Sequence, residues 1–278
     1  MKNNILVLGG KGKTGRRVAV RLSKLGHNVR IGSRSETPAF DWDKPETWAK
    51  AMEGMDSMYI TFQPDLAVPG AFEAIQGLME EAKRQNIQKV VLLSGKGENE
   101  AERCEQVVID SGVANTIVRA SWFNQNFSES FFLEPIQQGF VALPHADVEV
   151  PYVDADDIAD VVVEALLKEE HNGEIYELTG PRLLTFREVI HDISKITGRE
   201  IGFMPISLAD YVKAMEDQGV PADYVWLINY LFAEVLTNPD NQVIKRDIEK
   251  VLGRKPTDFS EYLERTVTTG IWNEPVKA

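Results

Sequence analysis

Seven residues near the start of the chain, Gly9-Gly10-Lys11-Gly12-Lys13-Thr14-Gly15, could hold a pyrophosphate. They follow the apolar run Ile5-Leu6-Val7-Leu8 and precede a helical pattern through Arg16, Val18, Val20 and Leu22. Strand, glycine turn and helix start form the first half of a dinucleotide-binding βαβ unit. One glycine permits a tight turn, one lets backbone amides approach the phosphates, and one lets helix and strand pack closely. The phosphates then lie at the helix N-terminus, where free N–H groups and the dipole favour an anion. The spacing of Gly9, Gly12 and Gly15 is G-x-x-G-x-x-G, not the commoner G-x-G-x-x-G.

A second group sets the choice of dinucleotide. In such units the end of the second strand meets the adenosine ribose, and an acid there binds the 2′-hydroxyl of NAD. This chain has Ile31-Gly32-Ser33-Arg34, with no acid until Glu36. Arg34 can pair with a 2′-phosphate and Ser33 can add a hydroxyl hydrogen bond. Lys11 and Lys13 bring further positive charge. The residues therefore predict NADP(H).

The elements that must position these groups alternate between strand and helix. Strands are expected at Ile5–Leu8, Val29–Gly32, Asp56–Thr61, Lys89–Ser94, Asn115–Arg119 and Glu174–Leu178. Helices are expected at Thr14–Leu25, Gly70–Arg84 and Asn99–Asp110. This predicts an α/β fold, a Rossmann-type doubly wound parallel sheet covered on both faces. After Gly180-Pro181 the pattern turns helical. Thr185 precedes Glu188 by three, a capping-box spacing, and Gly198 ends that helix. Further helices are expected at Ala209–Gln218, Tyr224–Leu236 and Gln242–Leu252. Residues 1–180 form the expected NADP(H)-binding domain, and 181–278 a smaller, mainly helical substrate lobe. The apolar stretch Tyr224–Phe232 fits core or the face of a homodimer.

The 278 residues carry 43 acids against 30 bases, a net charge of −13, which argues against nucleic acid as a partner. Cys104 is the only cysteine, so neither an intrachain disulfide nor a Cys-rich metal site is available. Asp154, Asp156 and Asp157 cluster just before a helix, where pairing with its dipole explains them better than a metal does. No apolar run approaches the roughly 20 residues of a membrane span. Met1-Lys2-Asn3-Asn4 leads straight into a strand, so the expected compartment is the cytoplasm.

The glycine loop, Ser33-Arg34 and Ser94-Gly95 after an apolar strand resemble the NmrA-like group of atypical short-chain dehydrogenases/reductases. So do Val118-Arg119-Ala120-Ser121-Trp122-Phe123-Asn124-Gln125-Asn126 and Val153-Asp154-Ala155-Asp156-Asp157-Ile158-Ala159. Phe40-Asp41-Trp42, Thr47-Trp48 and Gly253-Arg254-Lys255-Pro256-Thr257-Asp258-Phe259 resemble the branch of ergot-alkaloid (festuclavine/agroclavine-type) reductases. The resemblance implies a sheet ordered 3-2-1-4-5-6-7 and a small-molecule substrate. It implies that Gly9, Gly12, Lys13, Thr14 and Gly15 hold the pyrophosphate and that Asp41 and Trp42 contact adenine. It implies that Thr61, Phe62 and Gln63 flank the cofactor ribose and that Ser94-Gly95 lies beside the nicotinamide ribose. Phe123 and Asn126 match the loop that closes over the nicotinamide. Ala120 stands where the group usually has Pro. From the residues alone, Asp41 fits a turn or cap equally well, and Trp42 and Phe123 fit packing.

Ordinary short-chain reductases draw a proton from a Tyr with a Lys four residues on, aided by a Ser. None of the seven tyrosines here has that Lys. After Ser94 the chain runs Gly95-Lys96-Gly97-Glu98-Asn99-Glu100-Ala101-Glu102, with Lys96 near the Tyr register and Glu100 near the Lys register. The catalytic candidates are therefore Ser94, Lys96, His145 and Tyr152. Two functions fit: hydride transfer to an iminium, quinone or enone without the usual acid, or a non-catalytic NADP(H)-sensing regulator that binds a partner protein.

Overall fold

A computed structural model of the chain describes residues 2–274. Its elements are β1 (Asn4–Leu8), α1 (Lys13–Lys24), β2 (Asn28–Gly32), α2 (Trp48–Met52), β3 (Ser57–Ile60), α3 (Ala71–Arg84), β4 (Lys89–Gly95), α4 (Asn99–Asp110) and β5 (Ala114–Ala120). There follow α5 (Leu133–Gln138), β6 (Phe140–Leu143), α6 (Ala155–Leu167), β7 (Ile175–Leu178), α7 (Phe186–Thr197), β8 (Gly202–Pro205), α8 (Leu208–Asp217), α9 (Ala222–Tyr230), α10 (Asp247–Leu252) and α11 (Phe259–Val267). They group into two compact units. The first takes the chain up to Ala120, Ala155–Leu178 and Asp247–Arg254; the second takes Ser121–Asp154, Thr179–Arg246 and the chain from Lys255 on. The second unit is thus not only C-terminal: it claims 34 residues from well before the change of pattern near 180.

The first unit is a six-stranded sheet ordered β2-β1-β3-β4-β5-β7, with every pairing parallel. Its inner strands β1, β3, β4 and β5 are buried on both faces, as parallel strands between helical layers must be, while the edge strand β2 is half-buried. Alternation along each strand sorts the side chains. Leu6, Leu8, Met58, Ile60, Val90 and Leu92 join a core with Ile75, Leu78, Met79, Cys104 and Val108 of α3 and α4. On the opposite face Tyr59 meets α1, where its hydroxyl donates to Thr14 Oγ1 at 2.9 Å. α6 packs beside α1, and its acids pair with arginines. Asp156 meets Arg21 at 2.8 Å, and Asp160 meets Arg21 and Arg254, each at 2.6 Å. Buried Asp157 meets Arg254 at 2.8 Å.

The implied order 3-2-1-4-5-6-7 needs correction, because the strand expected beyond β2 is absent. Between β2 and β3 the chain has Pro38, Pro45 and Gly54 but no apolar run, and it forms only a single 3-10 turn and the short α2. Arg30 on the resulting edge donates to the carbonyls of Ala51 and Glu53 at 2.9 and 2.8 Å.

The second unit has an aromatic core: Phe127, Phe132, Tyr152, Phe186, Phe232, Phe259, Tyr262 and Trp272. The capping box forms as expected, with Thr185 Oγ1 accepting from the Glu188 amide and Glu188 accepting from the Thr185 amide. Gly198, at φ +67°, ends α7 in the left-handed region. Two short strands were not expected: β6 pairs in parallel with β8, from Phe140↔Gly202 to Leu143↔Pro205. The helix expected over Tyr224–Leu236 changes to a π-helical turn at Leu231–Leu236. The one expected over Gln242–Leu252 is helical only from Asp247. Of the apolar stretch before it, Val225, Leu227, Ile228 and Phe232 are buried, while Tyr224 and Trp226 remain exposed. No helix among the described residues is long and apolar enough to cross a membrane.

Candidate dinucleotide and acid site

The glycine loop joins β1 to α1, and its glycines differ in what surrounds them. Gly9 has φ +62°, and a β-carbon there would lie 2.1 Å from Thr61 Oγ1. A β-carbon at Gly10 would press on Ile31 of β2, and one at Gly15 would lie 2.3 Å from the Gly9 carbonyl oxygen. These three therefore close the turn and seat the helix. Gly12 has ordinary backbone angles (φ −78°), and a β-carbon there would stand 3.2 Å from the Gly9 carbonyl and 3.6 Å from Gln63 Nε2. It is the least crowded glycine of the triplet, although a β-carbon there would still press on the Gly9 carbonyl. Gly12 is also the N-cap of α1 and supplies no side-chain cap, so the first-turn amides of Lys13, Thr14 and Gly15 lack intrahelical acceptors. No acid occupies that turn. The Thr14 side chain is turned inward to Tyr59, so only its amide faces the loop.

At the end of β2, Lys11 Nζ donates to Ser35 Oγ at 2.6 Å and pairs with Glu36 at 2.8 Å. Ser33 Oγ stands 3.2 Å from Ser35 Oγ. Arg34 is exposed and makes no ion pair among the described residues. Beyond this, Asp41 is engaged by its own turn: its carbonyl accepts from Trp48 Nε1 at 2.8 Å and its Oδ1 from the Asp43 amide at 3.2 Å. Trp42 packs edge-on against Phe40 and at 4.7 Å from Phe62, leaving both Trp42 and Phe62 half-buried beside Thr61 and Gln63.

At the ends of β3 and β4 the geometry is set by acids. Ser94 donates to Glu105 Oε1 at 2.6 Å, and Arg119 grips the same carboxylate through Nε at 3.0 Å and Nη2 at 2.6 Å. Glu105 is 1% exposed. Ser94 is thus committed to a buried ionic network rather than free at the strand end. Lys96 is buried, its amide bonded to the Ala120 carbonyl at 3.0 Å. Two residues absent from the sequence-derived set stand here: Glu98, buried against Gly95, and Asp65, whose charge acts on it. Burial, then the charge of Asp65, holds Glu98 well above the usual carboxylate range.

The remaining candidates lie in the second unit. Phe123 forms a parallel bridge to Val153, and the Asn126 amide donates to the Phe123 carbonyl at 3.0 Å. His145 has φ +52° and lies over Phe232; its Nε2 is buried without a partner among the described residues. Tyr152 is enclosed by Phe127, Phe186 and Phe259, and its hydroxyl has no partner among the described residues. Burial raises its pKa well above that of an ordinary phenol, which makes it a poor acid. Asp154 is bonded by Gln125 at 2.9 Å and pairs with Arg265. In the ergot-type motif, Asp258 caps α11 and pairs with Arg182 at 2.9 Å.

A family model described as the NmrA-like family matches residues 77–263. The chain belongs to the NmrA-like family. Among curated relatives of this NmrA-like protein, an NAD(P)H azoreductase of Xenophilus azovorans is 30% identical, over 93% of this chain and 96% of its own. Festuclavine synthase II of Penicillium roqueforti is 28% identical, over 94% and 97%. Of solved structures, the Citrobacter sp. triphenylmethane reductase complexed with NADP(H) superposes with a TM-score of 0.74 at 17% identity, over 95% of this chain and 99% of that one. Nmra, a negative transcriptional regulator, gives 0.70 at 17% identity, over 97% and 98%. At such identities these two show the fold.

Proposed function

We propose that this NmrA-like protein is an NADP(H)-dependent oxidoreductase acting on a small organic acceptor. The supporting observation is the glycine cradle opening toward Gly12, together with Lys11, Ser33, Ser35 and the unpaired Arg34 at the end of β2. A β-carbon at Gly12 would enter the space the pyrophosphate needs, so the loop fits the group. Lys13, Thr14 and Gly15 offer it backbone amides, and Arg34 with Ser33 offers donors to a 2′-phosphate. The half-buried faces of Trp42 and Phe62 suit an adenine and a ribose edge. When bound, the reduced nicotinamide supplies a hydride. The relatives named for azo and clavine chemistry act on small molecules, in keeping with this proposal.

The test is a binding titration. Arg34→Ala should weaken NADPH by about 10- to 100-fold and leave NADH nearly unchanged, the loss of one charge-assisted phosphate contact. An equal effect on both removes the 2′-phosphate assignment. A second function, a cofactor sensor without turnover, is favoured by one observation: Ser94 is tied to Glu105. Loss of NADPH absorbance with quinones, imines, enones or azo dyes would exclude it. No turnover with any of them, with equal affinity for oxidised and reduced cofactor, would establish it.

A further inference from the structure

Two turns face each other across the end of β2. The first, Gly9–Gly12, is closed by the Gly12 amide on the Gly9 carbonyl at 2.8 Å. The second, Ser33–Glu36, is closed by the Glu36 amide on the Ser33 carbonyl at 3.3 Å. The Gly9 amide binds the Gly32 carbonyl at 3.1 Å, which ties the glycine loop to the end of β2. Lys11 lies inside the first turn and reaches across to the second. Its Nζ donates to Ser35 Oγ at 2.6 Å and pairs with Glu36 Oε1 at 2.8 Å. Ser33 Oγ accepts from the Ser35 amide at 3.3 Å, and the two hydroxyl oxygens stand 3.2 Å apart. Lys11 therefore spans the interval between the loop proposed for the pyrophosphate and the turn proposed for the 2′-phosphate.

A hydroxyl that accepts from Lys11 keeps its own proton to give. Lys11, Ser33 and Ser35 thus form a cluster of donors, with exposed Arg34 beside it. Glu36 supplies the carboxylate that answers Lys11. A carboxylate brings one negative charge. A phosphate monoester brings about −1.5 to −2 at neutral pH, with three acceptor oxygens. The Lys11 and Glu36 side chains are 57% and 39% exposed, and ion pairs so exposed are held weakly. The pair can therefore give way to a more highly charged anion. A 2′-hydroxyl carries no charge with which to displace it.

We propose that Glu36 and the 2′-phosphate of NADP(H) compete for Lys11, so that Lys11 is a further ligand of that phosphate and Glu36 sets how strongly NADP(H) is preferred over NAD(H). This rests on the NADP(H) reading and deepens it. NADP(H) takes Lys11 from Glu36 and gains the ammonium, and breaking the pair offsets part of that gain. NAD(H) leaves the pair in place and neither gains nor loses by it. Removing Glu36 therefore raises the preference, and removing Lys11 lowers it. Glu36 acts through Lys11 and is a positioning residue.

The test is calorimetric titration of the full chain with NADPH and with NADH, which needs no turnover. Lys11→Met should weaken NADPH about tenfold, and Lys11→Arg should keep most of the affinity. Glu36→Gln should tighten NADPH about three- to fivefold, the scale of an exposed ion pair. NADH should stay within about twofold of wild type in all three. In the Lys11→Met background, Glu36→Gln should bring no tightening, because its effect runs through the lysine. Adenosine 2′,5′-bisphosphate, which carries the 2′-phosphate without the nicotinamide, should rank the variants as NADPH does. Unchanged NADPH affinity in Lys11→Met, or an equal loss on both dinucleotides, would overturn the exchange. So would equal tightening by Glu36→Gln with and without Lys11, which makes Glu36 a repelling charge alone. Those outcomes leave the NADP(H) reading standing where Arg34→Ala is selective for NADPH. If Arg34→Ala weakens both dinucleotides alike, or wild type binds neither, that reading fails and the exchange fails with it.

Discussion

The glycine loop and the Asp65–Glu98 pair both lie at C-terminal strand ends of one sheet, yet different forces hold them. The loop is built from backbone: Gly9 and Gly15 are pinned by carbonyls and by Thr61, and what it offers a ligand is amides. The acid pair is built from side chains that meet only because β3 and β4 are neighbours. Beneath it runs the Ser94–Glu105–Arg119 network, which fixes α4 against β4 and β5. A backbone cradle is insensitive to pH and intolerant of added atoms. A carboxyl pair is the reverse: it tolerates an isosteric amide and responds to every change in nearby charge.

Three measurements bear on that contrast. Gly12→Val has the largest expected effect. The backbone angles suit any residue and the β-carbon presses only on the Gly9 carbonyl, so thermal stability should fall slightly while NADPH affinity falls by more than about 100-fold, because the side chain occupies the ligand's space. Retained binding would reduce the loop to a plain turn. Next, Arg119→Met leaves Glu105 buried without its cation and should cost about 3–5 kcal/mol in urea unfolding. A loss under about 1 kcal/mol would mean the network beneath the acid pair does not hold the strands, contrary to its geometry. Smallest is a slope of stability with pH. Glu98 is held above its ordinary value, so between that value and its raised one the folded protein binds more protons than the unfolded chain. The stability it contributes is complete below the ordinary carboxylate range and is lost as pH rises through the raised value. Glu98→Gln should flatten this part of the profile, and an unchanged slope would assign it to another group.

What was legible in the sequence follows the same division. The glycine loop, β1 and α1 are contiguous, so spacing alone located them. The lack of a strand between β2 and β3 was also visible as a segment of prolines and glycine without an apolar run; the resemblance to a seven-stranded order obscured it. Glu98 stood in plain view between Gly95 and Glu102. Its meaning depends on Asp65, 33 residues earlier, and no local pattern joins the two. β6 and β8 were missed for a related reason. Each has four residues, and each is a strand only because the other pairs with it across some 60 residues of chain. Asp41 shows the converse: its turn contacts to Asp43 and Trp48 join near neighbours in the chain.

The interleaving of the two units carries a consequence for anyone handling the gene. The chain passes from one unit to the other after Ala120, Asp154, Leu178, Arg246 and Arg254. No single truncation therefore yields either unit whole. A fragment ending near residue 180 would retain the cradle but lack α10, and with it Arg254, whose guanidinium neutralises Asp157 and Asp160. Modular exchange with a relative would have to graft several separate segments at once.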